Sequence, residues 1–280
     1  RAAGMADQNK KRDKSREWAR RTRHKTSELD VGMRGFLVTC DTHLGRRALN
    51  DAIATLGAAV DTAQPERDTT DLGTVDIAQE ISREAASLRD DAPFAAADVG
   101  CAGLEFVRDL RPQGSSPTPL ALANAVCDSA REQGPLGARL VARLLPCQAV
   151  CKAKEAQIAE AVRTVLPPVL ASLPRRPATF AVQFRQRYSA GLDKGKAIAE
   201  AAAAVAEALP GATVRLADPE LCVVLETVRS LTCVCVVDRM AANCRYSLRL
   251  LREKAAGGAA GAAPGAAPGA VAAEAAPAAA

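Results

Sequence analysis

Between Thr179 and Arg187 the chain alternates: Phe180, Val182 and Phe184 share one face, and Gln183, Arg185 and Arg187 share the other. A period of two marks a half-buried strand. After a basic loop the period lengthens. Asp193 stands where a helix N-cap is expected, and Ile198, Ala201, Val205 and Ala208 form an apolar stripe that Pro210-Gly211 ends. Val214 to Leu216 reads as a short strand. Leu221 to Val228 and Leu231 to Val237 are nearly unbroken apolar runs, suited to central strands covered on both faces.

The first half is less regular. Arg34 to Asp41, "RGFLVTCD", has strand length, and Leu49, Ile53 and Leu56 follow at helical spacing. Residues 61 to 74 are polar and turn-rich, so a loop is expected, and Val75 to Leu88 has a helical pattern. Cys101 to Leu110 reads as one strand, Leu120 to Arg131 as a helix, and Arg139 to Leu145 as a strand ending at Pro146. Cys151 to Leu173 is helical in pattern, broken or kinked by Pro167-Pro168. Pro174 to Pro177, "PRRP", is a basic turn. Beyond Lys254 the chain is almost wholly Ala, Gly and Pro, which cannot bury a core, so a disordered tail is expected.

Composition adds constraints. The chain is 48% hydrophobic, 25% charged and only 3% aromatic, so its core is built from Ala, Val, Leu and Ile. No run of about 18 apolar residues occurs, so no membrane span is expected. No apolar segment follows the basic N-terminus, so it does not read as a secretory signal. The nine cysteines lack a zinc-knuckle spacing and the only histidines are His24 and His43, so buried apolar thiols are expected rather than a metal site or a disulfide framework. The net charge of +5 matters through where it lies. Lys10 to Lys25, "KKRDKSREWARRTRHK", carries nine Lys/Arg against two acids, among them Lys10, Lys11, Arg12, Arg20, Arg21, Arg23 and Lys25. It reads as a disordered basic tail, a nuclear-import signal or a phosphate-binding arm, and these readings are compatible.

Catalytic patterns fail one by one. Gly191 to Lys196 hints at a P-loop but is one residue short, with Ala197 in place of the required hydroxyl residue. No dinucleotide-binding fingerprint, G-x-S-x-G, acetyl-coenzyme A loop or histidine-based triad is present. The pattern is that of a binding protein. Arg185 and Arg187 at a strand end, with Lys194 and Lys196 at the following helix start, make an anion site. There the helix dipole and free amides near Leu192 to Lys194 favour phosphate, and Tyr188 is placed to stack on a base.

Four stretches, "RLLPCQAVCKAK" (Arg143 to Lys154), "FAVQFRQR" (Phe180 to Arg187), "VRLADPELCVVLETV" (Val214 to Val228) and "CVCVV...CRYSLRLL" (Cys233 to Leu251), resemble a THUMP domain. Upstream, "GMRGFLVTCD" (Gly32 to Asp41) and "LEFVRDL" (Leu104 to Leu110) resemble the free-standing THUMP proteins that assist tRNA cytidine acetylation. The resemblance implies an α+β chain: a basic tail over residues 1–30, a ferredoxin-like N-terminal domain over 31–137, an α/β THUMP domain over 138–253 and a disordered tail over 254–280. It implies a monomeric, cofactor-free, non-catalytic adaptor of the nucleus or nucleolus. Such an adaptor presents leucine and serine tRNAs to a separate RNA cytidine acetyltransferase, which makes acetylcytidine in the D-arm. A general RNA-binding factor of ribosome assembly is the alternative. The basic positions that the resemblance matches are Lys152, Lys154, Arg185 and Arg187; Lys194, Lys196 and Arg245 join them on charge alone.

Overall fold

The computed structural model describes residues 27–63, 92–132, 138–189 and 191–256. The basic arm, the helical pattern at 75–88 and the tail beyond 256 lie outside the described residues. The first sheet has five strands, β1 (Ser27–Glu28), β2 (Gly35–Thr39), β3 (Phe94–Cys101), β4 (Leu104–Asp109) and β5 (Arg143–Cys147), in the order β1-β3-β4-β2-β5. Helix α1 (Gly45–Ala63) lies between β2 and β3, and α2 (Pro119–Glu132) lies between β4 and β5. From β2 to β5 the chain therefore runs β-α-β-β-α-β with antiparallel neighbours, which is the ferredoxin-like arrangement.

Each element follows from its residues. α1 buries Ala48, Leu49, Ala52, Leu56 and Val60, one face of a 3.6-residue period. α2 opens on Pro119, whose fixed φ suits a first helical position, and the Thr118 hydroxyl accepts from Ala121 N at 3.2 Å. The expected single strand from Cys101 to Leu110 is instead a hairpin. Its first arm, β3, is "FAAADVGC", and three small alanines hid the strand signal. Gly103 makes the turn possible: its φ is +76°, and a Cβ there would lie 3.0 Å from the Cys40 carbonyl oxygen. β5 also runs on through Pro146, where the expected strand stopped. β5 is an edge strand of this sheet, where a missing N–H is tolerated.

The second sheet is built from β6 (Ala149–Lys152), β7 (Thr179–Arg187), β8 (Thr213–Val214), β9 (Leu221–Val228) and β10 (Leu231–Val237), in the order β6-β10-β9-β7-β8. Helices α3 (Glu155–Ser172) and α4 (Lys194–Ala208) pack against each other beside it. Here the expectation for Cys151 to Leu173 needs correction twice. Its first residues are a strand, and the helix runs unbroken through Pro167-Pro168 to Ser172. Both prolines are exposed, so their rings and the carbonyls they release sit on the solvent side. β9 is buried throughout, as its continuous apolar run requires.

One stretch of backbone serves both sheets. β5 and β6 are separated only by Gln148, whose amide group binds β10 twice: Nε2 donates to Val236 O at 2.9 Å, and Oε1 accepts from Val236 N at 2.7 Å. On the other side of β6, Val150 accepts from Gly32 N at 2.8 Å and donates to Met33 O at 2.9 Å. A second joint lies at Cys244–Tyr246, a short turn that precedes α5 (Leu248–Ala255). Cys244, Arg245 and Tyr246 all have left-handed φ values, 49°, 58° and 60°. Such residues cost on the order of 1–3 kcal/mol each and persist only where their surroundings fix them. The fixing groups come from both sheets. Arg143 Nε donates to Arg245 O at 2.8 Å, and the fully buried Tyr246 hydroxyl lies 2.8 Å from Asn124 Oδ1 and 2.9 Å from Asp238 O. Burial, with Asp238 alongside, pushes the Tyr246 phenol well above the ordinary tyrosine range, so it stays a neutral donor.

Replacing Tyr246 by Phe leaves the Asn124 and Asp238 acceptors without that donor. It is expected to lower unfolding free energy by about 1–3 kcal/mol, read as a shift in denaturation midpoint at constant m value. An unchanged midpoint would show that the joint is held by packing alone.

Candidate nucleic-acid interface

β7 runs parallel to β9, and β10 is antiparallel to both β9 and β6. The C-terminal ends of β6, β7 and β9 therefore meet on one rim, and the N-termini of α3 and α4 open onto it. Register aligns a row across this rim: Lys152 faces Leu231, Leu231 faces Val228, and Val228 faces Arg187. Four adjacent strands make the row ~14 Å wide. Alternation places Arg185 on the same face as Arg187, and Arg185 stands beside Glu226, its register partner.

A cleft of ≈ 680 Å³ opens beside the row. One wall is Leu29 to Val31, which follows β1 of the first sheet; the other is Lys152 to Lys154, Tyr188-Ser189 and the β9–β10 turn at Arg229 to Leu231. Tyr188 is 79% exposed and has a left-handed φ of 49°, which lifts its ring out of strand alternation. The structure thus gathers Lys152, Lys154 and Tyr188 as expected neighbours and adds Arg229, which the sequence reading passed over. Arg229 sits at φ 53° in a two-residue turn between two apolar runs, and its Nη2 donates to Gly100 O at 2.8 Å. The polar pair Arg229-Ser230 between two strands was the available signal.

Four exposed arginines elsewhere are tied to carboxylates, whereas Arg176 and Arg215 are not, among the described residues. Arg163 bonds Glu207 at 2.7 Å, Arg175 bonds Glu220 at 2.8 Å, Arg239 bonds Asp128 at 3.0 Å, and Arg249 bonds Asp41 at 3.0 Å. The side chains of Lys152, Lys154 and Arg187 have no such partner among the described residues. Cations without internal counter-charges, at the open end of a sheet, leave a positive field for an external anion.

The helix start behaves differently from expectation. The Asp193 carboxylate caps α4 by accepting from Lys196 N at 3.0 Å, and Asp193 N itself donates to Glu155 Oε1 at 3.3 Å. Two of the amides near Leu192 to Lys194 are thus already engaged by carboxylates, which weakens this terminus as a phosphate cradle. Lys194 is half-buried and Lys196 exposed in the first turn. The N-terminus of α3, with Lys154 at the cap and no side-chain capping bond, is the more open of the two.

Arg185 is only partly free. Its Nε lies 3.8 Å from Glu226 Oε1, and the same oxygen lies 3.4 Å from Arg143 Nη1. Glu226 is 1% exposed. Burial holds the Arg143 guanidinium below its ordinary value, with Glu226 opposing that shift. Arg245 is placed away from the rim, on the turn that follows the opposite end of β10. The nine cysteines are free thiols, and burial pushes Cys127, Cys151 and Cys222 up to about 12, so they stay protonated.

The THUMP domain family matches residues 152–237. No curated protein matches the chain. Among solved structures, a crystal structure from Pyrococcus horikoshii Ot3 is similar at 13% identity over 74% of this chain and 55% of that one, with a TM-score of 0.41. A 4-thiouridine synthetase, solved as an RNA complex with bound ATP, is similar at 10% identity over 74% of this chain and 42% of that one, with a TM-score of 0.38. The solution structure of the THUMP domain of THUMP domain-containing protein 1 is 26% identical over 29% of this chain and 81% of that one, with a TM-score of 0.25. The chain spans about half the length of the first two, 55% and 42%. Residues 152–237, the stretch that contributes Lys152, Lys154, Arg187, Tyr188 and Arg229 to the rim, match the THUMP domain family.

Proposed function

We propose that this chain binds tRNA through the rim of its second sheet and acts as a non-catalytic adaptor, presenting leucine and serine tRNAs to a separate RNA cytidine acetyltransferase. The observation that carries the RNA-binding part is the row of uncompensated cations at the open end of a THUMP domain, beside an exposed aromatic ring. Lys152, Lys154 and Arg187 neutralise phosphates, and Tyr188 offers a stacking face to an unpaired base. The adaptor part rests on the likeness of "GMRGFLVTCD" and "LEFVRDL" to the proteins of tRNA cytidine acetylation. In this reading the protein works as a monomer in the nucleus, and the acetyl transfer belongs to the partner.

Replacing Lys152 and Arg187 together by Glu is expected to weaken tRNA binding at least ~100-fold at low salt and to reduce the slope of log K against log salt by about 2. Both side chains stand clear of internal carboxylates, so the melting temperature should stay close to wild type. Unchanged affinity would remove the rim from the binding site. Arg185→Glu is the poorer probe, because it sets a second carboxylate beside the buried Glu226 and is expected to cost stability.

The adaptor role is read in cells. Depletion is expected to remove acetylcytidine from leucine and serine tRNAs, with wild-type chain restoring it and the Lys152→Glu/Arg187→Glu chain failing to do so. Normal acetylcytidine with defective ribosome assembly would favour the general RNA-binding reading instead.

A further inference from the structure

The basic turn "PRRP" has no part in the rim, and neither does β8. β8 is the outer strand of the second sheet and pairs with β7 on one side only. Thr213 N donates to Ala178 O at 3.0 Å and Arg215 N donates to Phe180 O at 2.8 Å, so both point inward. The intervening Val214 turns its N–H and C=O outward, where no described residue meets them. Its side chain is 58% exposed and that of Leu216 is 47% exposed. β8 is only two residues long, so the open edge is the single outward rung of Val214, with exposed Leu216 in the bend that follows. Thr213 to Ala217 contains neither proline nor lysine; its shortness and the charge of Arg215 limit unspecific pairing at this edge.

The charge around this edge is positive. Arg175, Arg176 and Arg215 are exposed there, against Asp218 and Glu220. Glu220 is already occupied: Oε1 bonds Arg175 at 2.8 Å and Oε2 accepts from Ala178 N at 2.7 Å. Arg176 bonds only the Ala208 carbonyl oxygen, at 2.8 Å, and Arg215 has no side-chain partner among the described residues. The edge also lies apart from the rim, since β8 pairs at Phe180 and Arg187 is ~23 Å farther along β7.

We propose that the β8 edge is a protein-docking site, which takes an extended acidic segment of a partner polypeptide as an added strand. The peptide groups of Val214 supply backbone pairing, Val214 and Leu216 receive alternate apolar side chains, and Arg176 and Arg215 receive carboxylates. A nucleic acid would leave both aliphatic side chains and the outward peptide groups unused; a strand uses all of them. The inference stands on its own observations and survives if the rim proves not to bind RNA.

The test uses the full chain and a short synthetic peptide alternating valine and glutamate, with a valine–lysine peptide of equal length as control. Fluorescence anisotropy is expected to show binding of the glutamate peptide at least ~10-fold tighter than the control, and amide exchange over 213–217 is expected to slow by ~10-fold on binding. Arg176→Glu with Arg215→Glu is expected to reverse the preference between the peptides, and Val214→Lys with Leu216→Lys to abolish both complexes. If the lysine variant fails to fold, the charge reversal at two exposed positions carries the test. Binding of neither peptide, or a preference untouched by charge reversal, overturns the proposal. A dimer in sedimentation that Val214→Lys dissolves would assign the edge to a second copy. Protection of 213–217 by an RNA oligonucleotide would assign it to nucleic acid. Either result also overturns it.

Discussion

The architecture depends on the double hydrogen bond between the Gln148 amide and the backbone of Val236. At that point a strand leaves one sheet and enters another, and its backbone groups must change partners. A side-chain amide offers one donor and one acceptor in a plane, as a peptide group does, so it fills the missing rung of the ladder. Without it, the Val236 N–H and C=O would face a buried gap, at a cost of about 1–3 kcal/mol for each unsatisfied group. The walls at Leu29 to Val31 and at Lys152 to Lys154 belong to different sheets, and this junction joins them together with the Val150 bonds to Gly32 and Met33 and the Arg229 bond to Gly100.

Two kinds of charge follow from that placement. Inside, Glu226 sits between Arg143 of the first sheet and Arg185 of the second, one carboxylate shared by two guanidiniums. Buried pairs of this kind contribute little net stability but are strongly destabilising when one partner is removed. Arg143 Nη2 and Glu226 Oε2 find no partner among the described residues, so the pair is not fully satisfied within the protein. Outside, Lys152, Lys154 and Arg187 remain solvated and uncompensated. The contrast separates cations that hold the fold from cations that face outward, a distinction that net charge alone cannot make.

The period of two from Thr179 to Arg187 and the continuous runs of β9 and β10 were legible because one pattern dominates in each. β3 was not legible, since alanine carries almost no strand signal and its place was settled by pairing with β4. The prolines of α3 misled for a related reason: their penalty applies to an isolated helix, while packing against α4 and β6 holds this one together. Lys152, Lys154 and Tyr188, singled out by charge and motif, lie together beside the cleft. Arg229 was missed because a hairpin turn reads as punctuation, and the capping of α4 by Asp193 was read without its consequence for neighbouring amides. Arg185 looked free because its neutralising carboxylate lies far along the sequence.

The left-handed turn at Cys244–Tyr246 bears on how the two halves of the molecule are joined. Its unfavourable backbone angles are compensated by local backbone bonds to Met240, Ala241 and Asn243 and by Arg143, Asn124 and Asp238, side chains and a carbonyl contributed by β5, α2 and the end of β10. Neither half of the molecule assembles that set alone. The turn is thus a fastening shared by the two sheets, because the groups that hold its backbone come from both.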